Sequence, residues 1–195
     1  MDFSLLHLAL PVAFFLDLIL GDPFFLPHPV RWMGNAIITL EPKFRRLPVP
    51  LLISGSLFWI VLVSGSWMVT FILVQAADAL HPVACFAIET ILIYYVISAG
   101  SLEAAAMELV QPLSRKDLKE SRDKISMIVG RDTSRLKEDA ISRAAVETVA
   151  ENLVDGVISP IFFFIIGGAP LALAYKMVNT LDSMVGYKND KYLEF

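Results

Sequence analysis

Cysteine is almost absent from this 195-residue chain. Cys85 stands alone, which excludes an intrachain disulfide framework and any cysteine-based zinc cluster. It sits inside an apolar run, the usual place for a small buried hydrophobe. Histidine is scarce too, at three residues, and charged residues make up only 18% of the chain. There is no block of lysines and arginines, and the net charge is −4, so nothing marks a nucleic-acid partner. None of the candidate groups resembles a Walker A loop or a Ser-His-Asp triad. The apolar run at the start has no basic opening, and Gly21-Asp22-Pro23 follows it where small cleavage-site residues would stand; it does not read as a signal peptide.

What the chain has is apolar residues, 56% of the total, more than an ordinary soluble domain carries. They are grouped. Expected membrane spans cover about 3–20, 51–77 and 82–102, each reaching or approaching the ~20 residues a helix needs to cross a bilayer. A fourth run, 157–178, is cut in two by Gly167-Gly168-Ala169-Pro170. Each half is too short to span alone, so a re-entrant or interfacial pair of half-helices is expected, with one kinked span as the alternative. The predicted fold is all-α: a single polytopic helical membrane domain over 1–195, with a large helical loop and a broken fourth apolar segment.

Lysine and arginine counts orient it. Segment 21–50 holds Arg31, Lys43, Arg45 and Arg46, segment 103–156 holds nine of the chain's sixteen, and the connector 78–81 holds none. The positive-inside rule places loops 21–50 and 103–156 in the cytoplasm and the N-terminus outside, in the cell (inner) membrane among lipid. In the first loop a short interfacial helix is expected from about Val30 to Leu40. The third span is expected to continue as helix through SLEAAAMELV until Pro112 ends or bends it. Residues 115–129 form an amphipathic stretch with Leu118, Ile125 and Ile128 on its apolar face. A helix from about Ser134 to Asp155 follows, capped by Asp132, Thr133 or Ser134. The echo of Pro27-His28-Pro29-Val30 in Leu80-His81-Pro82-Val83 is too short to carry weight.

Four groups of residues could carry chemistry. In AAVETVAENLVDGVISP, Glu147, Glu151 and Asp155 stack on one helical face, beside Arg143 and small residues. Each like-charge pair at this spacing costs roughly 0.2–0.5 kcal/mol. A helix ending at Gly156 would add about 0.3–1 kcal/mol for each acid near its negative end. The ridge is either a solvated face or a site for a hard cation, which takes carboxylates together with substrate phosphates. GRDTSR, with Arg131, Asp132 and Arg135, is an anion seat at a helix start or a plain cap. After the broken run, Asn179, Asp182 and Ser183 could complete a metal or phosphate shell. Lys188 could meet a phosphate, and Lys176 would join them only if the run is re-entrant; the alternative is a polar exit loop. Last, Asp17, Asp22, His28 and Arg31 gather near the first span. Arg31 is a plausible partner for Asp17, and His28, held between prolines, is a base, a ligand or a structural hydrogen bond.

The segments DLILGDPFFLPHPVRWMGNAI, SMIVGRDTSRL, AAVETVAENLVDGVISP and ALAYKMVNTLDSMVGYKNDKY resemble, in order, those of the adenosylcobinamide-phosphate synthases, membrane enzymes of cobalamin biosynthesis. The resemblance covers nearly the whole chain. It implies an ATP-dependent ligase that joins a carboxylate of adenosylcobyric acid to the amine of aminopropanol or its phosphate. Such a ligation calls for activation as an acyl phosphate, Mg²⁺, phosphate-holding cations and a base. In that light Glu147, Glu151, Asp155 and His28 are the catalytic candidates, with Glu147, Glu151 and Asp182 for the metal. Arg31, Arg131, Asp132, Arg143, Asn152, Lys176, Asn179, Ser183 and Lys188 are the candidates for substrate and phosphate. Members of that family run on beyond the equivalent of Phe195, so a fragment, a truncated gene product or one half of a split protein is expected, with a missing C-terminal half or a homo-oligomer as the partner expectation. The rival expectation is a non-catalytic corrinoid-binding scaffold or a transporter fragment, since broken helices with buried charges also suit a transporter.

Overall fold

The computed structural model describes residues 3–23, 27–129 and 132–195. Among them there are helices and no strands: α1 (Phe3–Leu20), α2 (Pro29–Arg45), α3 (Leu51–Leu80), α4 (Pro82–Tyr94), α5 (Ala99–Ser114), α6 (Leu118–Ser126), α7 (Glu138–Leu153) and α8 (Ser159–Val185). A single turn of π-helix, Val154–Ile158, joins the last two. Three helical stretches, Leu51–Leu80, Pro82–Ser114 and Glu138–Val185, are long and apolar enough to cross a membrane. The chain is an all-α polytopic membrane protein.

Small residues bring the apolar helices together. Ala9, Ala13 and Asp17 on α1 are fully buried, and this stripe packs on α4, as membrane helices pack where small side chains let backbones approach. On α3, Ser54, Phe58, Leu62, Thr70 and Val74 form the buried stripe, while Leu52, Ile60, Val69 and Ile72 on its other sides stay exposed. Such an apolar exterior suits hydrocarbon rather than water.

The α2 helix is longer than Val30–Leu40. It runs to Arg45 through Pro42 and turns back along α3, closed by the Ser54 hydroxyl donating to the Phe44 carbonyl and by the Phe44 and Phe58 rings 5.6 Å apart. Residues 187–195 then cover this end. Arg45 donates to the Lys191 carbonyl at 2.8 Å, its guanidinium lies 4.1 Å from the centre of the Phe195 ring, and Lys191 pairs with Glu41 at 3.0 Å.

The His-Pro-Val echo has a structural meaning after all. His28 and His81 both sit in extended conformation as N-caps, with proline in the first turn. Each accepts at Nδ1 the amide of the valine two residues on, at 3.3 and 3.1 Å. Proline at the first helical position needs no partner for a missing N–H, and the imidazole satisfies the next free amide.

The third apolar stretch is not continuous helix. It stops at Tyr94 and resumes at Ala99, then passes Pro112 to Ser114. At the restart, Gly100 donates its amide to the buried Asp17 carboxylate at 2.9 Å, so Asp17 takes a backbone partner in the place suggested for Arg31. Beyond the membrane helices, α5, α6 and α7 share a second small core of Leu109, Ile125, Ile141 and Ala144, with Leu118 and Ile128 against it. The α7 helix begins at Glu138, later than Ser134, and has no side-chain cap. Asp132 instead closes a local turn by accepting the Ser134 amide at 2.9 Å.

Candidate functional site

The helix carrying the acids does not end at Gly156. It widens into the π-turn and enters α8 without a break in helical backbone, so the expected charge penalty at a helix terminus does not arise. The wider turn leaves carbonyl valence to satisfy. Ser98, in the gap between α4 and α5, donates its amide to the Gly156 carbonyl at 3.0 Å and its hydroxyl at 3.2 Å. A Cβ on Gly156 would meet the Ser98 hydroxyl, so a larger residue there forces the serine side chain to shift.

The α8 helix breaks at Gly167 and Gly168, where φ/ψ leave the helical region and Gly168 takes φ 67°. The buried Glu89 of α4 accepts the Ala169 amide at 2.8 Å, capping the second arm. The two arms fold onto each other. Phe163 stacks on Tyr175 at 4.8 Å. Tyr175 donates to Asp155 Oδ1 at 3.3 Å, and Asn179 Nδ2 donates to Oδ2 at 3.2 Å. Residues that would stand far apart on a straight helix meet because the chain reverses.

This reversal builds a cleft of about 570 Å³. One wall is Glu147, Thr148, Glu151, Asn152 and Asp155; the other is Asn179, Asp182, Ser183 and Tyr187. Glu147, Glu151 and Asp182 are exposed to it, while Asp155 is half-buried behind its two donors. Seven of the residues singled out in the sequence therefore share one cavity. Among the described residues, no three His, Cys, Asp or Glu side chains gather closely enough to hold a metal ion alone. Glu147, Glu151 and Asp182 line one cleft without closing into a three-ligand cage. The donor set fits Mg²⁺ arriving with phosphate oxygens, because that ion takes one or two carboxylates and keeps its other positions for water and substrate.

The other candidates lie elsewhere. His28 and Arg31 line a second cleft of about 670 Å³ with Asp22, Glu108 and Lys124. Both nitrogens of His28 are engaged: Nδ1 accepts the Val30 amide, and Nε2 lies 3.3 Å from Asp22 Oδ1. With Nδ1 accepting, Nε2 carries the proton, and no lone pair is left to act as a base. Lys188 lines an adjoining cleft that shares Asp182 and Tyr187 with the first. Lys176 is half-buried in α8 and lines neither large cleft; Arg143 is exposed on α7 away from both. Asp132 is exposed in its turn, its carboxyl held below the usual range by the Ser134 amide and hydroxyl. Arg131 lies outside the described residues.

Sequence reasoning missed Tyr175 and Tyr187. Tyr175 is twenty positions from Asp155, and only knowledge of the reversal pairs them. Tyr187 follows Gly186 where α8 ends, and the segment ALAYKMVNTLDSMVGYKNDKY around it carries the available signal.

The fold and cleft define a class: a polytopic helical membrane protein whose carboxylate-rich site is assembled by a helix that doubles back. The CobD/Cbib protein family model matches residues 10–195, and the chain belongs to that family. It is similar to the cobalamin biosynthesis protein CbiB of Salmonella arizonae, 50% identical over 188 residues, covering 95% of this chain and 59% of the relative. The cobalamin biosynthesis proteins CobD of Citrobacter koseri and of Klebsiella pneumoniae are each 48% identical over the same coverage. The chain thus spans about three fifths of the length of these relatives. No solved structure matches it.

Proposed function

We propose that the chain acts in cobalamin biosynthesis as an ATP-dependent carbon–nitrogen ligase, or as the part of one that carries this cleft. The reaction joins a carboxylate side chain of adenosylcobyric acid to the amine of aminopropanol or its phosphate. The observation that carries the reading is the meeting of Glu147, Glu151 and Asp155 with Asn179, Asp182 and Ser183 across one cleft.

When bound, ATP with Mg²⁺ supplies the phosphoryl group that makes the carboxylate an acyl donor, and the ion spreads the phosphate charge. The residues of this chain do the rest. Glu147 and Asp182, exposed on opposite walls, would hold the ion. Asn179 and Ser183 donate to phosphate oxygens. Asp155 is fixed in place by Tyr175 and Asn179 and keeps that wall rigid. Glu151, exposed and without a fixed partner of this kind, receives the incoming ammonium and takes one proton from it, freeing the nitrogen lone pair that attacks the acyl carbon; the second proton of that nitrogen goes to the departing phosphate. Phosphate leaves with the electrons of the broken C–O bond.

Loops 21–50 and 103–156 lie on the cytoplasmic side of the inner membrane in this reading, where ATP is available. Against the transporter alternative, the buried Asp17 and Glu89 each accept a backbone amide. The test uses the 195-residue chain in detergent, alone and as a chimera replacing the matching segment of the Salmonella arizonae relative. Adenosylcobyric acid, aminopropanol phosphate, ATP and Mg²⁺ should yield amide and ADP in at least one form, and Glu151→Gln should slow it about 10²-fold or more. No product from either form, or undiminished turnover in the variant, would overturn the assignment.

A further inference from the structure

The acidic cleft does not end at its own walls. A narrower cavity of about 350 Å³ shares Thr148, Asn152 and Ile128 with it. The same cavity shares Ser101, Ala105 and Met127 with the second cleft. The three form one trough along α5, from Asp182 at one end to Arg31 at the other. Its two ends differ in chemistry. The first is walled by carboxylates, amides and a hydroxyl. The second is lined largely by Val30, Ala104, Ala105, Met127 and Ile128, with charge at its rim. At that rim Lys124 pairs with Glu108 at 2.7 Å, and the pairing holds the ammonium above its ordinary pKa. Met127 is 76% exposed, a large apolar side chain turned outward at the edge of an otherwise paired surface.

A small amino alcohol with nucleotide needs only the first end. We infer that the second end seats the body of a bulky, largely apolar macrocycle, the corrin of adenosylcobyric acid, on the reading that this site is a ligase. The methyl-bearing edge of the ring lies against Ala104, Ala105, Met127 and Ile128. Its carboxylate arm passes the throat at Ser101, Thr148 and Asn152, which hydrogen-bond amide groups on neighbouring arms. The arm then enters the acidic cleft, where an ammonium or a cation is needed to offset the surrounding carboxylates. Concave, mostly apolar sites with a few fixed polar groups are the usual seats of such ligands.

The test measures binding rather than turnover. The full chain in lipid nanodiscs is equilibrated with adenosylcobyric acid, followed by corrin absorbance, and separately with radiolabelled aminopropanol phosphate. Ala105→Trp fills the junction of throat and second cleft, and Met127→Asp puts a charge on its edge at an exposed position that tolerates substitution. Each should weaken corrinoid binding about tenfold or more and leave aminopropanol phosphate binding within about twofold. Met107→Trp, on α5 outside the trough, should change neither. Unchanged corrinoid affinity in Met127→Asp, or loss of both ligands together, overturns this inference while the ligase reading stands. Absence of corrinoid binding in the unaltered chain likewise overturns this inference, while the ligase reading is decided by product formation in the chain and the chimera.

Discussion

Asn179 donates a hydrogen bond to Asp155 across 3.2 Å, although 24 positions separate them and a straight helix would hold them about 36 Å apart. The contact exists only because α8 reverses at Gly167 and Gly168, and the cleft exists only because of the reversal. Spin labels at positions 151 and 183, in a Cys85→Ala background, should report a separation well under half of the roughly 48 Å of a straight helix. A distance near the straight-helix value would remove the cleft.

The tip of this hairpin rests on one carboxylate. Glu89 is 2% exposed and accepts the Ala169 amide. Glu89→Gln keeps an acceptor at the tip and should cost little. Glu89→Leu leaves a buried amide unpaired, costing about 1–3 kcal/mol, seen as a lower melting temperature in thermal scans. Equal melting of the two variants would show that the capping bond contributes nothing.

At the other end of the first arm, the π-turn depends on Ser98 approaching Gly156. Gly156→Ala places a methyl group against the Ser98 hydroxyl and should destabilise the fold. Ser98→Ala removes the colliding oxygen, so the double variant should recover part of the loss, a coupling of about 0.5–3 kcal/mol in a double-mutant cycle. Strict additivity would mean that the collision is not the cause.

How far the sequence spoke for itself follows from these contacts. The helical class, the membrane character and the family were legible, because they rest on composition, long apolar runs and contiguous segments. The acidic ridge was legible because its spacing is local. Its electrostatic cost was misjudged, because the helix continues through a π-turn that no local pattern announced. The donors that answer Asp155 are twenty and 24 positions away. The His-Pro-Val echo is visible in the sequence but its meaning is not, since that lies in a ring nitrogen reaching its own backbone. The gap at 95–98 is not legible, because the acceptors of the Ser98 and Gly100 amides, the Gly156 carbonyl and the Asp17 carboxylate, come from distant helices.

A pH response is built into the covered end of the α2–α3 hairpin. Burial alone would raise the Glu41 carboxyl, but the hydrogen bonds and charges of Lys191 and Arg45 outweigh it and hold the group below its ordinary value. A depressed folded-state value means that stability is present above the unfolded value and is lost as pH falls through the folded one. Acidification through the carboxylate range should therefore release residues 187–195, read as faster amide hydrogen exchange there. Glu41→Gln should show fast exchange at neutral pH. Exchange that ignores both changes would place the hold in the Arg45 contacts and the Phe195 and Phe58 rings instead.

His28 separates a structural role from a chemical one. Its Nδ1 caps α2 and its Nε2–H meets Asp22, so its contribution to turnover should pass through helix placement. His28→Asn retains a capping oxygen but cannot accept a proton near neutral pH, whereas His28→Ala retains neither. Loss of a cap costs about 0.5–2 kcal/mol, and replacement by asparagine far less. Melting temperature should fall for alanine and hold for asparagine, and ligation by the asparagine variant should stay within a few-fold of the unaltered chain. A large loss of rate in a fully stable His28→Asn variant would return His28 to the list of bases.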